Sequence, residues 1–135
     1  MKKHLLMLAI ASSCSFVAVQ ASAMSSDEYK AGKEKIEADY KAADAQCKTM
    51  KDNAKDVCEK DAKGKMNVAK ADLEQQYQPS DSHARAVEEE KVKANYEVAM
   101  EKCDDQKGAD KTACEKQAKA DEAKGKADIK AMKKM

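Results

Sequence analysis

A cysteine pair that occurs twice is the feature that most constrains how this chain can fold. Cys47 and Cys58 enclose ten residues, and Cys103 and Cys114 repeat that spacing 56 positions later. Of the 40 positions from residue 34 to residue 73, 16 are identical to their partners 56 positions on, without a gap. The sequence therefore contains one unit used twice.

The repeat also selects one pairing of these cysteines. Four cysteines allow three connectivities, and only Cys47–Cys58 with Cys103–Cys114 gives each repeat its own bridge. Catalytic disulfides use a close Cys-x-x-Cys spacing at a helix start to lower the thiol pKa, which a ten-residue gap does not provide. We therefore predict two structural disulfides, each worth about 3 kcal/mol on the loop-entropy model, and a thiol-redox role is the less favoured alternative.

Residues 1–23 have the pattern of a cleavable secretory signal. A basic start is followed by an apolar run from Leu5 to Ala11, and Ala21 and Ala23 form a small-x-small cleavage site. The run is too short to span a membrane comfortably. We expect cleavage after Ala23 and a periplasmic protein that begins at Met24.

A lipoprotein signal with Cys14 as the acylated residue is the alternative. It would leave the apolar stretch 16–19 at the start of the mature chain and would ignore the site at Ala23. Cleavage after Ala23 removes Cys14 and leaves four cysteines, the even number expected in an oxidising compartment.

The remaining charge is nearly balanced. Loss of Lys2 and Lys3 leaves 24 basic residues against 25 acidic ones, a net charge of about −1. This disfavours a nucleic-acid binder, which needs a cationic face, and removes the simple case for binding an anionic membrane surface. Large aliphatic residues are few, but Ala, Lys and Glu favour helix, so we expect a thin core that needs covalent staples.

Apolar and small residues recur at heptad spacing in four stretches and predict four helices. The predicted seams are Ile36, Tyr40, Ala43, Cys47 and Met50; Cys58, Ala62, Met66, Ala69, Leu73 and Tyr77; Val92, Tyr96, Ala99 and Cys103; and Cys114, Ala118, Gly125, Ile129 and Met132. The predicted fold is all-α, with helical hairpins at residues 24–78 and 84–135 and a linker at residues 79–83.

Turn signals separate these helices. Ser25 and Glu28 form a capping-box pattern, and Pro79 should end the second helix. Gly108 suits a left-handed turn, whereas the equivalent first-repeat position is Asp52, followed by Asn53 as a helix cap. Turns centred there would let each cysteine pair face across antiparallel helices, brought close by alanines at positions 43, 62, 99 and 118.

How the two hairpins are arranged stays open at this stage. The short linker allows helix three to fold back into a four-helix bundle. Because few large apolar residues remain, an elongated coiled-coil-like pair of hairpins and a homodimer are the alternatives.

No residue pattern indicates catalysis or a cofactor. His83 is the only histidine after residue 23, and no nucleophile–base pair or phosphate-binding loop can be assembled. The methionines do not cluster as copper ligands do, and the acidic run 88–90 points in several directions on a helix. We expect no enzyme activity, no cofactor and no dedicated metal site.

Tyr40 and Tyr96 each lie seven residues before the first cysteine of their repeat. A tyrosine on a helix seam packs its ring across the hairpin and keeps its hydroxyl near water. Alternatively, the two tyrosines contact a protein or envelope partner. Both interpretations keep them as the candidate site residues.

Two stretches resemble a group of small exported Ala/Lys-rich proteins of proteobacteria with duplicated cysteine hairpins. They are Asn53-Ala54-Lys55-Asp56-Val57-Cys58 and its echo in Lys111, Cys114-Glu115 and Ala118-Lys119. The resemblance implies an uncharacterised periplasmic protein without catalytic residues to carry over. In that group a Gly-Asn-Ala-Lys-Asp turn precedes the second cysteine, whereas Asp52 replaces the glycine here.

The expected function is a non-enzymatic, interaction, structural or stress-protective component of the cell envelope with an unknown protein or envelope partner. The alternative from another class is a carboxylate-rich scavenger of metal ions or small ligands.

Overall fold

The computed structural model describes residues 23–133, which form four α-helices. Their bounds are Ser26–Cys47 (α1), Asp52–Tyr77 (α2), Asp81–Cys103 (α3) and Gly108–Met132 (α4). Residues 23–133 contain no strand, so the all-α prediction is confirmed. The expected signal segment lies outside the described residues except for Ala23.

The start of α1 is fixed by the predicted capping box. The Ser25 side chain accepts a hydrogen bond from the Glu28 backbone N–H at 3.2 Å, and the Ser25 backbone N–H donates to Glu28 Oε2 at 2.7 Å. Two backbone N–H groups at the start of the helix, which have no carbonyl partner within the helix, thereby gain side-chain acceptors. The same contacts lower the pKa of Glu28, chiefly through the backbone hydrogen bond from Ser25.

Each helix packs on its neighbour in the chain, and the α2–α3 interface is the most extensive. Within residues 23–133, α1 contacts neither α3 nor α4, and α2 does not contact α4. The two hairpins therefore do pack on each other, but as an open row of four helices rather than a closed bundle.

The row has two distinct ends because consecutive helices run in opposite directions. The α1–α2 and α3–α4 turns and both disulfides lie at one end, which we call the disulfide end. The α2–α3 connection, the start of α1 and the end of α4 lie at the other, which we call the linker end. Stacking of Tyr29 on Tyr77 marks the linker end of the first hairpin.

The two hairpin turns lie closer to the first cysteine than the sequence predicted. Helix α1 ends at Cys47 itself and α3 ends at Cys103, so the turns are residues 48–51 and 104–107. The expected bend near residue 52 is therefore wrong by about three residues. Met50, predicted on the seam, lies in the turn and is 45% exposed.

The left-handed backbone position predicted for the turns is present, but it begins a helix instead of ending one. Asp52 has φ 54° and Gly108 has φ 58°, and these are the first residues of α2 and α4. The repeat thus extends to backbone conformation. Asp52 is the costlier of the two residues, since left-handed φ values strain residues that carry a Cβ.

Asn53 does not cap α2, contrary to the prediction. Lys51 is the N-cap residue and makes no side-chain cap bond. The Asn53 amide instead donates to the backbone carbonyl of Glu101 at 2.9 Å. That carbonyl, in the last turn of α3, also accepts from the Asp104 backbone N–H at 3.1 Å. Asn53 therefore uses its second lone pair and ties α2 to α3 at the disulfide end.

The α2–α3 connection is shorter than the predicted linker at residues 79–83. Helix α2 ends at Tyr77, and α3 begins at Asp81 with Ser80 as its N-cap. Ser80 Oγ accepts from the His83 backbone N–H at 3.0 Å. His83, half-buried in the first turn of α3, places Nδ1 2.6 Å from the Gln78 carbonyl oxygen and braces the connection around Pro79.

The core is thin, as the composition predicted. The buried apolar residues are Cys47, Ala62, Leu73, Val87, Cys103, Ala118 and Ile129. Within residues 23–133 no polar or charged residue is buried. Most of these buried side chains are small, so the core is filled by close approach of the helices and not by large side chains.

Both predicted disulfides are present. The Cα atoms are 5.4 Å apart in Cys47–Cys58 and 5.6 Å apart in Cys103–Cys114, within the range that a bridge requires. Cys47 and Cys103 are fully buried. Ala62 and Ala118, one turn beyond the bridges, are buried as the predicted small-residue layer requires.

Gly64 allows α2 and α3 to approach closely at the middle of the row. A Cβ built on Gly64 would lie 2.6 Å from Ala94 Cβ and 3.4 Å from Ala94 Cα. Neither of these atoms belongs to a long side chain that could move aside. The largest interface of the protein therefore depends on a glycine facing an alanine.

Candidate partner-binding grooves

Tyr40 lines a groove between α1 and α2. The cavity volume is about 310 Å³, and its lining residues are Ile36, Asp39, Tyr40, Ala43, Ala62, Lys65, Met66 and Ala69. Tyr40 is half-buried, so its ring packs across the hairpin while one side faces the cavity. We call this the first groove.

Tyr96 lines a groove between α3 and α4. The cavity volume is about 440 Å³, and its lining residues are Val92, Asn95, Tyr96, Ala99, Ala118, Asp121, Glu122, Lys124, Gly125 and Asp128. Tyr96 is also half-buried. We call this the second groove.

The two grooves are the same structural site formed twice. Each residue that lines the first groove has its partner, 56 positions later, in the lining of the second. The tyrosine and three alanines are retained or reduced to glycine, whereas Lys65 and Met66 become Asp121 and Glu122. The lining of the first groove is therefore balanced in charge, with Asp39 and Lys65, whereas that of the second carries three carboxylates and one lysine.

Both tyrosine hydroxyls are available to bind a partner. No buried side-chain N or O atom in residues 23–133 lacks a hydrogen-bond partner. Within the same range the hydroxyls of Tyr40 and Tyr96 make no hydrogen bond to protein, so water reaches them. A half-buried ring with a wet hydroxyl is common where proteins meet.

The acidic side chains of the second groove are partly held by neighbours on α4. The Gln117 amide donates to Asp121 Oδ1 at 2.9 Å, and Lys126 Nζ lies 2.6 Å from Glu122 Oε1. Exposed pairs of this kind contribute little to stability, but they orient the carboxylates. The groove thus presents fixed negative charge beside Tyr96.

A second pair of aromatic residues was missed in part by sequence reasoning. Tyr29 stacks on Tyr77 with ring centroids 4.4 Å apart, and the Tyr29 hydroxyl donates to a carboxylate oxygen of Glu74. Tyr77 was placed on the α2 seam, but Tyr29 was not assigned. Its position seven residues before Ile36 continues the heptad by one repeat and was the available signal.

The hydrogen bond to Glu74 raises the pKa of Tyr29 above its usual value, and burial and the negative charge of Glu74 add to the shift. Lys33 Nζ lies 5.4 Å from the centroid of the same ring, a distance at which cations and rings attract. These contacts close the linker end of the first hairpin.

One ion pair crosses the α3–α4 turn. Lys111 Nζ lies 2.7 Å from Asp104 Oδ1, and this hydrogen bond, with the charge of Asp104, raises the pKa of Lys111. In the first hairpin the pair at the turn joins Lys48, the first turn residue, back to Asp44 in the last turn of α1. Within residues 23–133, an ion pair therefore links the start of a hairpin turn to the following helix in the second hairpin and not in the first.

Across residues 23–133, no group of three or more His, Cys, Asp or Glu side chains is placed to hold a metal ion. In the same range no helix is long and apolar enough to cross a membrane.

Comparisons with known proteins leave these grooves to be interpreted from their own chemistry. No protein-family model, curated protein or solved structure matches the chain.

Proposed function

We propose that this protein is a non-enzymatic interaction component of the cell envelope, which uses the two tyrosine-lined grooves to hold partners. The observation that carries the proposal is the equivalence of the grooves. Every lining position of the first recurs in the second, while three positions change chemistry: Lys65 and Met66 become Asp121 and Glu122, and Asp39 becomes Asn95.

The scaffold supports this role. Two disulfides fix the helix pairs that form the grooves, so little conformational freedom is lost when a partner binds, and preorganisation of this kind favours affinity. Aromatic residues supply much of the binding energy in protein interfaces. Tyr40 and Tyr96 are therefore the anchors we assign to the two grooves.

Export to the periplasm is part of the proposal. Two disulfides are typical of an oxidising environment. Ala23 is exposed and lies two residues before the Ser25 cap, so cleavage after Ala23 would leave α1 and its capping box intact. Intact-mass measurement of the exported protein tests this: a chain beginning at Met24 supports it, and a lipidated chain beginning at Cys14 contradicts it.

The groove assignment is tested by chemical cross-linking and affinity capture from the periplasmic fraction. We compare the wild-type protein with the double variant Tyr40→Ala/Tyr96→Ala, and use Lys41→Ala/Glu97→Ala as the matched control at the neighbouring repeat positions. The proposal expects one recurrent cross-linked partner with wild type and control, and at least a tenfold loss with the tyrosine variant.

Circular dichroism and thermal melting of each variant are measured alongside. If the tyrosine variant unfolds, Tyr40→Phe/Tyr96→Phe replaces it, because this change keeps the rings and removes only the wet hydroxyls. Equal capture by the folded tyrosine variants and wild type would contradict the grooves as the binding sites.

A further inference from the structure

A cavity of about 510 Å³ lies between α3 and α4 towards the linker end. Its lining residues are Arg85, Glu89, Lys126, Ile129, Lys130 and Lys133, and we call it the anion pocket. Four cationic groups and one carboxylate give it a net charge of about +3. Ile129, its apolar lining residue, is buried.

The equivalent place in the first hairpin is closed. Shifting the lining by 56 positions gives Tyr29, Lys33, Lys70, Leu73, Glu74 and Tyr77. There the Tyr29–Tyr77 stack fills the space and the Tyr29 hydroxyl binds Glu74. In the second hairpin Arg85, Lys130 and Lys133 occupy those three positions. Like charges cannot pair with one another, so the aromatic closure of one repeat becomes an open cationic cavity in the other.

Partners within the protein leave most of this charge uncompensated. Lys126 pairs with Glu122 at 2.6 Å. Across residues 23–133, no carboxylate oxygen lies within 4.0 Å of the charged nitrogens of Arg85, Lys130 or Lys133. The negative end of the α4 dipole explains cations at its C-terminus, but Arg85 lies in the second turn of α3, near the positive end of that helix. The dipoles alone therefore do not account for the cluster.

We propose that the anion pocket binds an anion that carries phosphate groups. The planar guanidinium of Arg85 suits bidentate binding of phosphate oxygens, and the lysines supply mobile point charges. The cavity lies within the usual size range of small-molecule sites. The same phosphate chemistry is present in a free ligand and in a lipid headgroup. The site is separate from the tyrosine grooves, and its failure leaves the proposed function unchanged.

Isothermal titration of the oxidised protein with inorganic pyrophosphate at low ionic strength tests the free ligand. Flotation with phosphatidylglycerol–phosphatidylcholine vesicles, and with phosphatidylcholine alone, tests the headgroup. The key variant is Lys130→Glu, which installs the residue of the first repeat. Lys41→Glu on exposed α1 makes the same change in net charge and is the matched control, and Arg85→Gln is a second pocket variant.

The proposal expects saturable 1:1 binding that weakens at least tenfold in Lys130→Glu and Arg85→Gln and less than twofold in Lys41→Glu. Saturable pyrophosphate binding assigns a free ligand, and binding to the phosphatidylglycerol vesicles alone assigns a headgroup. Equal weakening in Lys130→Glu and Lys41→Glu, or no binding to either probe, would overturn the proposal.

Discussion

The two hairpins have the same backbone arrangement, and each has its own disulfide. They differ in the side chains that pack between their helices at the linker end. In the first, Tyr29, Tyr77 and Glu74 seal the linker end. In the second, the same positions are Arg85, Lys133 and Lys130, and a cavity remains. The disulfides and the left-handed residues at the turns are therefore common to both copies, whereas the linker end has acquired different chemistry.

Position within the row explains a second difference. Helix α2 has neighbours on two sides, whereas α4 is an edge helix. Asn53 of α2 reaches Glu101 of α3, and its repeat partner Ala109 has no further helix to meet. Gly64 faces Ala94, and its repeat partner Ala120 is exposed. Interior positions thus differ from edge positions although they arose from one unit.

Removing either disulfide should have the largest effect on the stability of the two hairpins. Cys47→Ser/Cys58→Ser and Cys103→Ser/Cys114→Ser should each lower the free energy of unfolding by about 3 kcal/mol, because the closed loops are equally long. Hydrogen exchange should then differ between them: α4 should lose protection along its length, whereas the end of α1 near Tyr29 should retain some. Equal loss in α1 and α4 would contradict the role of the aromatic closure.

Gly64→Ala tests the interior position. Overpacking against Ala94 costs about 1–3 kcal/mol and outweighs a gain in helix propensity of about 1 kcal/mol, so we expect a net loss near 1 kcal/mol in urea unfolding. Ala120→Gly is the matched change at the exposed position and should lose about 1 kcal/mol through propensity alone. A more stable Gly64→Ala variant would show that α2 and α3 do not approach this closely.

Gly108→Ala measures the energetic cost of the left-handed backbone conformation at the second turn. A Cβ at residue 108 meets no atom within 4 Å, so the change isolates the cost of φ 58°. We expect the free energy of unfolding, measured in urea, to fall by about 1 kcal/mol. Asp52→Gly should act in the opposite direction by a smaller amount, since it also removes an acidic residue from the first turn of α2. A loss of stability in Asp52→Gly would contradict the equivalence of the turns.

The smallest predicted effect is the pH dependence of the aromatic closure. Because the pKa of Tyr29 is raised in the folded state, the neutral form is favoured there. The hydrogen bond from the Tyr29 hydroxyl to Glu74 therefore stabilises the folded state below the ordinary tyrosine pKa of about 10. This stabilisation is lost as pH rises through the raised pKa. The difference in unfolding free energy between wild type and Tyr29→Phe should therefore shrink in that range. A difference that stays constant through the tyrosine titration would contradict the bond to Glu74.

The sequence was sufficient for the local structure and the staples. Heptad spacing predicts the four helices, and the duplicated spacing of Cys47 and Cys58 predicts both disulfides, since each depends on residues close in the chain. The sequence does not predict the open row of helices, because the pairing of α2 with α3 depends on long-range contacts between small residues such as Gly64 and Ala94. The prediction that Asn53 caps α2 was wrong for the same reason. A capping pattern depends on residues close in the chain, whereas Asn53 binds the Glu101 carbonyl of another helix.

The candidate site was predicted in part. Tyr40 and Tyr96 were singled out from their repeated positions, but the paired grooves depend on which α2 and α4 residues face them. The change of Met66 to Glu122 is visible in the alignment of the repeats. Its meaning requires knowing that both positions line the same groove.

Site-specific photo-cross-linking in living cells can show whether Tyr40 and Tyr96 themselves contact a partner. A photoreactive phenylalanine analogue is placed at position 40 or 96, and at the neighbouring positions 41 and 97 as controls. The account predicts a discrete partner adduct from positions 40 and 96 that excess wild-type protein abolishes and excess Tyr40→Ala/Tyr96→Ala protein does not. Adducts of equal yield from all four positions, or none from the folded protein at 40 and 96, would contradict it.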